Sequence, residues 1–192
     1  MKKRLAYALA TLLLLTGCAS GGQAGQVAGS TPAADASTAA DREPMSIEEA
    51  AAYFLKHVCP MNAMADEYDD VYLAAYAEAE EGGAPSLGSL TEASAEMRDA
   101  ARDLADAFSD EDILWPSVIE EEIEPLLDVQ YDYIASMAVL ANAKTTDQFF
   151  FLMSGVEQKA ALSNGGAISQ EIRAKLNLSA DPVYSCRNYT SS

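Results

Sequence analysis

Residues 46–76 read SIEEAAAYFLKHVCPMNAMADEYDDVYLAAY. Apolar side chains recur at Phe54, Val58, Met61, Ala65, Tyr68, Tyr72 and Ala75/Tyr76. With 3.6 residues per turn, steps of three and four place these positions on one side of an α-helix. Ser46-x-x-Glu49, ahead of the stripe, reads as a capping box: the hydroxyl and the carboxylate each satisfy a backbone N–H that the helix leaves unpaired. Pro60 interrupts the pattern, because proline has no N–H and clashes with the carbonyl four residues back, that of Lys56. The stripe resumes in phase, which favours one kinked helix; a second helix starting at Pro60 is the alternative. Gly82-Gly83 marks the end.

The same period recurs three more times. Ser89-x-x-Glu92 reads as a second capping box, followed by a stripe of Leu90, Ala93, Met97, Ala101, Leu104 and Phe108. A third helix is expected after Asp110-Glu111-Asp112, whose charges complement the helix dipole, with Trp115-Pro116 in its first turn. Its inward positions are Ile119, Ile123, Leu126, Tyr133, Met137 and Leu140. Gln130 falls in that stripe and calls for a place near a helix end or for a polar partner, and Pro125 should bend the helix. The fourth helix takes Thr146 or Asp147 as its cap and Phe149, Phe150, Met153, Val156 and Ala160 as its stripe. Asn164-Gly165-Gly166 either ends it before a shorter helix over roughly 169–176 or lies inside one bent helix. No stretch alternates with period two. The expected fold is all-α: an antiparallel four-helix bundle with kinked helices and a short C-terminal helix or tail.

Upstream, Lys2, Lys3 and Arg4 precede an apolar run from Leu5 to Leu15. The run is shorter than the roughly 20 residues a spanning helix needs, and its build is that of a secretory signal. It ends on Leu15-Thr16-Gly17-Cys18, which resembles the lipobox of bacterial lipoproteins. The resemblance implies that residues 1–17 are removed and that Cys18 carries the lipid. The chain would then sit on the extracytoplasmic face of the cell membrane, where more than one acyl chain gives stable anchoring. Residues 19–44 hold no Leu, Ile or aromatic residue. Region 18–44 therefore reads as a lipidated cysteine with a disordered tether, about 30 Å from end to end. Residues 45–192 form the folded domain.

The chain has 12 Lys+Arg against 30 Asp+Glu, a formal charge of −18. Three of those cations lie in the signal, so a chain starting at Cys18 keeps nine against 30, or −21. Such a charge repels nucleic acid and anionic headgroups and attracts cations or basic partners. Cys59 and Cys186 are the only other cysteines. An even count in an exported chain fits one disulfide, with two free buried thiols as the alternative.

Candidate chemistry is sparse. His57 is the only histidine. It reads as a helix-surface residue near the bridge rather than a base or metal ligand, because metal sites need several converging ligands. Glu120, Glu124, Asp128 and Asp132 recur every four residues as one slanting stripe, either a solvated face or a ridge for a cation or a basic partner. Asp66, Glu67, Asp69 and Asp70 form a second acidic cluster. Tyr68, Tyr72 and Tyr76 share a helix face and, with Trp115, either line a ligand pocket or fill the core. There is no Gly-x-Ser-x-Gly elbow, no Asp-x-Asp-x-Asp-Gly loop and no phosphate-cradling glycine loop. The reading is a non-catalytic, cofactor-free binding module for an envelope protein or wall component. A small-molecule or divalent-cation receptor is the first alternative, and an envelope hydrolase using His57 the second.

The folded part also resembles small helical lipoproteins of unknown function from high-GC Gram-positive bacteria. The shared features are Val58-Cys59-Pro60-x-Asn62, Trp115-Pro116, and Ile172-Arg173-x-x-Leu176 near a closing Cys186. The resemblance implies a helical fold and a Cys59–Cys186 pair, and no substrate or active site.

Overall fold

The computed structural model describes residues 42–187 and Tyr189. The signal, Cys18 and the tether up to residue 41 lie outside the described residues. Among the described residues six helices follow one another: α1 (Ile47–Glu80), α2 (Leu87–Phe108), α3 (Glu120–Leu140), α4 (Thr146–Leu162), α5 (Gly165–Lys175) and α6 (Pro182–Arg187). No strand occurs among the described residues.

The capping box of α1 is complete: Glu49 N–H donates to Ser46 Oγ at 3.2 Å, and Ser46 N–H donates to Glu49 Oε2 at 2.9 Å. The helix runs unbroken through Pro60 and ends where Gly82 takes a left-handed φ of 81°, the region glycine enters without a Cβ penalty. The other three starts differ from those expected. Ser86, not Ser89, caps α2, accepting from Ser89 N–H at 3.3 Å. The helix thereby gains a turn that brings Leu87 onto the core. The cap of α4 is Thr145, which accepts from Gln148 N–H at 3.1 Å.

The start of α3 moves furthest. Trp115 and Pro116 do not sit in its first turn but in the connection before it, and both are buried. The indole packs on Phe108 and Tyr53, at centroid distances of 5.1 and 5.6 Å, and its Nε1–H donates to the Phe108 carbonyl at 3.4 Å. Met45 N–H donates to Leu114 O at 2.9 Å, and Arg42 pairs with Asp112. These contacts hold residues 110–119 in turns, so burial of the indole overrides the local acidic signal. The acids that complement the dipole are instead Glu120, Glu121 and Glu122.

The glycine pair opens α5 rather than closing α4. A Cβ on Gly165 would lie 2.7 Å from Val129 Cγ1, so a glycine lets α5 begin tight against α3. The chain breaks at residues 163–164, which removes the continuous bent helix. Ala160, expected in the stripe of α4, is exposed.

Two apolar clusters make up the core. One gathers Phe54, Val58, Leu104, Phe108, Trp115, Ile119, Ile123 and Leu126 with Ile168, Ile172 and Leu176 of α5. The other gathers Tyr68, Leu90, Met97, Met137 and Leu140 with Phe149 and Met153 of α4. Helix α2 packs along both α1 and α3, while α4 and α5 each serve one cluster. Gln130 lies mid-helix and buried, and its Oε1 accepts no hydrogen bond among the described residues. Neither a helix end nor a partner for that oxygen accompanies it.

Candidate functional site

Cys59 of α1 and Cys186 of α6 form a disulfide with Cα atoms 5.3 Å apart across a sequence separation of 127. The alternative of two free thiols is excluded. Asn62, one turn after Cys59, points its Nδ2 at Cys186 Sγ, 3.8 Å away. Helix α6 buries no residue of its own, so the bridge and its contact with α1 hold it. A cleft of about 700 Å³ opens beside the bridge, with Pro60 and Asp66 on one wall and Val183 and Arg187 on the other.

Tyr68, Tyr72 and Tyr76 of α1 lie against α4. Tyr68 is buried, and its hydroxyl donates to Met153 Sδ at 3.4 Å. Tyr72 stacks on Tyr68 at 6.4 Å and donates to Glu157 Oε1 at 3.0 Å. Tyr76 meets the Phe150 ring edge-on at 6.0 Å. Burial raises the pKa of Tyr68 and Tyr72, and the Glu157 carboxylate raises that of Tyr72 further. Tyr133 of α3 is raised by burial first and by Tyr68 and Asp69 after it. These phenols remain neutral at ordinary pH, and those of Tyr68 and Tyr72 act as donors. Trp115 belongs to the other cluster, so the structure does not bring it to the tyrosines.

His57 sits between Tyr53 and Phe108, at centroid distances of 4.6 and 6.3 Å. Its Nε2 is buried without a partner among the described residues. Burial, and then the charge of Lys56, lower its pKa, so the imidazole is neutral and packs as an aromatic wedge.

Glu120, Glu124, Asp128 and Asp132 are all exposed and enter no ion pair among the described residues. The neighbouring Glu122 behaves differently: it pairs with Lys175, which also holds Glu171 at 3.1 Å. No group of three or more His, Cys, Asp or Glu converges to hold a metal among the described residues. Asp132, the last of the ridge, forms with Tyr133 one wall of a crevice of about 100 Å³ whose opposite wall is Val156, Lys159 and Ala160 of α4.

Two features escaped the sequence reading. The first is the outer face of α4, where Phe151 is 77% exposed and Leu162 76%. The run Phe149-Phe150-Phe151 was the available signal: three consecutive residues span 200° of helix, more than a core-facing stripe can bury. The second is Arg173, only 1% exposed. Its guanidinium lies 5.6 Å from the Phe54 centroid, and Nη1 donates to Ser179 O at 3.4 Å. Burial lowers its pKa, with Asp181 opposing. Comparison of the chain with protein-family models, with curated proteins and with solved structures finds no match.

Proposed function

We propose that this chain is a lipid-anchored, extracytoplasmic helical binding module of the bacterial cell envelope, without catalytic activity, whose partner is an envelope protein or a wall component. The observation that carries the reading is the Cys59–Cys186 disulfide. Such bridges persist in oxidising compartments and are rare in reducing ones, which supports the export that the Lys2–Cys18 stretch implies. Within this reading the four long helices form an antiparallel bundle. The packing of α2 on α1 and α3 supports that arrangement, as does the short connection 141–145 between α3 and α4. The unpaired carboxylates of α3 and the bare apolar residues of α4 favour a macromolecular partner over a small ligand.

The test is metabolic labelling with palmitate followed by membrane fractionation, for the wild-type chain and Cys18→Ser. Label and membrane retention should both be lost in the variant. Equal retention without label refutes the lipid anchor. Non-reducing intact mass of the extracted chain, two hydrogens below the reduced value, accompanies it as a check on the bridge.

A further inference from the structure

Helix α6 has few ties to the core besides its bridge. It buries no residue, and neither apolar cluster contains one of its side chains. Its hydrogen bonds are local. Asp181 Oδ1 accepts from the N–H groups of Val183 and Tyr184 at 2.9 and 3.2 Å, and Ser185 Oγ donates to Asp181 O at 3.2 Å and to Ser179 O at 3.4 Å. Among the described residues one hydrogen bond reaches it from another helix, that of Asn62 Nδ2 to Cys186 Sγ. The chain just before α6 is fastened instead: Gln170 Nε2 donates to Ala180 O at 2.9 Å and Arg173 Nη1 to Ser179 O. A hinge therefore falls at Asp181-Pro182. Both bridge cysteines line the cleft between α1 and α6, together with Asn62 and Arg187. An external thiol thus has an entrance to the bridge, and one of the two sulfurs already holds a donor. That asymmetry matters, because a sulfur whose developing charge is stabilised leaves faster.

We infer that the Cys59–Cys186 bridge is a thiol-exchange site, at which a dithiol reductant releases α6 from the folded domain. A thiolate of the reductant enters the cleft and attacks Cys59 Sγ. The bond between the cysteines breaks, and its electron pair goes to Cys186 Sγ, where the Asn62 N–H receives the charge until water supplies a proton. Cys59 is left in a mixed disulfide on α1. The second thiol of the reductant then attacks its own sulfur in that mixed disulfide and expels Cys59 as a thiolate, which is protonated in turn. The reductant loses two electrons and two protons and becomes a disulfide, while the bridge becomes two thiols. Helix α6 swings out at Asp181-Pro182 and uncovers the α1 wall of the cleft, with Pro60, Asn62 and Asp66. The core stays folded, because nothing that leaves belongs to it.

The experiment uses the oxidised full chain carrying Cys18→Ser, which leaves the bridge cysteines as its only sulfhydryl source. Dithiothreitol gives the rate of cleavage, in buffer and in denaturing urea. Glutathione, a monothiol, traps the mixed disulfide at early times, and acid quenching, alkylation and peptide mass mapping locate it. Cleavage in buffer should run within about a hundredfold of the rate for the unfolded chain, whereas a bridge reached only through global unfolding would be slower by about a thousandfold or more. The glutathione adduct should sit on Cys59, with Cys186 alkylated. Asn62→Leu should slow cleavage by about three- to fivefold, since it removes the donor to the leaving sulfur. A variant that merely loosened the fold would be cleaved faster, so the direction separates the two effects. The reduced chain should keep its helical far-UV circular dichroism. Cleavage slower than that hundredfold limit, an adduct mainly on Cys186, an equal or faster rate in Asn62→Leu, or loss of helicity on reduction overturns the inference. None of these outcomes depends on the lipid anchor or on a partner.

Discussion

Removing the disulfide with the pair Cys59→Ala and Cys186→Ala should lower stability substantially while leaving the two-cluster core in place. The bridge closes a loop across a separation of 127 residues. Loop-closure entropy for such a length sets a ceiling of about 5 kcal/mol on its contribution. The realised loss should be smaller. Helix α6 buries no residue, so without the bridge it can leave α1 in the native state and recover part of its conformational entropy. An expected loss of about 3 kcal/mol corresponds to a fall in melting temperature of roughly 6–12 °C for a domain of this size. Thermal unfolding followed by far-UV circular dichroism measures the shift. Hydrogen exchange read at α6 and at the middle of α2 locates it: α6 amides should lose their protection, whereas those around Met97 and Leu104 should keep theirs relative to the new global stability. A melting temperature within about 2 °C of wild type, or α6 amides protected as before, would refute the view that α6 stays on α1 only while the bridge is intact.

Gln130→Met should stabilise the domain by about 1 kcal/mol in urea unfolding, because it removes a buried acceptor with no partner and keeps the side-chain length; destabilisation would mean that the amide is paired. Ser86→Ala should cost about 1 kcal/mol, whereas Glu92→Ala should change stability by less than about 0.5 kcal/mol, so the reverse order would restore Ser89 as the cap of α2. The depressed pKa of His57 means that the unfolded chain binds the proton first on acidification. Its contribution is therefore fully present above pH about 6.5 and is lost as pH falls from there through the lower folded value. A His57→Phe variant should show a flatter decline of unfolding midpoint across that window, and an unchanged slope would exclude His57 as its source.

Helix α1 shows how much of the fold was legible. Its stripe, its box at Ser46-x-x-Glu49 and its end at Gly82 are all local devices, and the structure holds each of them. The cysteine count anticipated the bridge in the same way. The start of α3 was not legible, because acids at 110–112 favour a helix only until Trp115 finds Phe108 and Tyr53, contacts that no local window contains. Tyr68, Tyr72 and Tyr76 share one face as the spacing implied, yet their separation from Trp115 depends on which cluster each joins. Phe151 was passed over because a periodicity template accepts the two phenylalanines that fit and discards the third.

The sequence by itself determined an acidic chain of amphipathic helices with one cysteine pair for a bridge, because helix formation and capping are settled by residues three or four apart. Only the tertiary structure decided that α4 and α5 divide the two clusters between them. It alone left the Phe151–Leu162 face of α4 bare. The physical reason is that burial is a property of all packed elements together: a side chain's own window says which face it shares, and only the neighbours present in space say whether that face is covered.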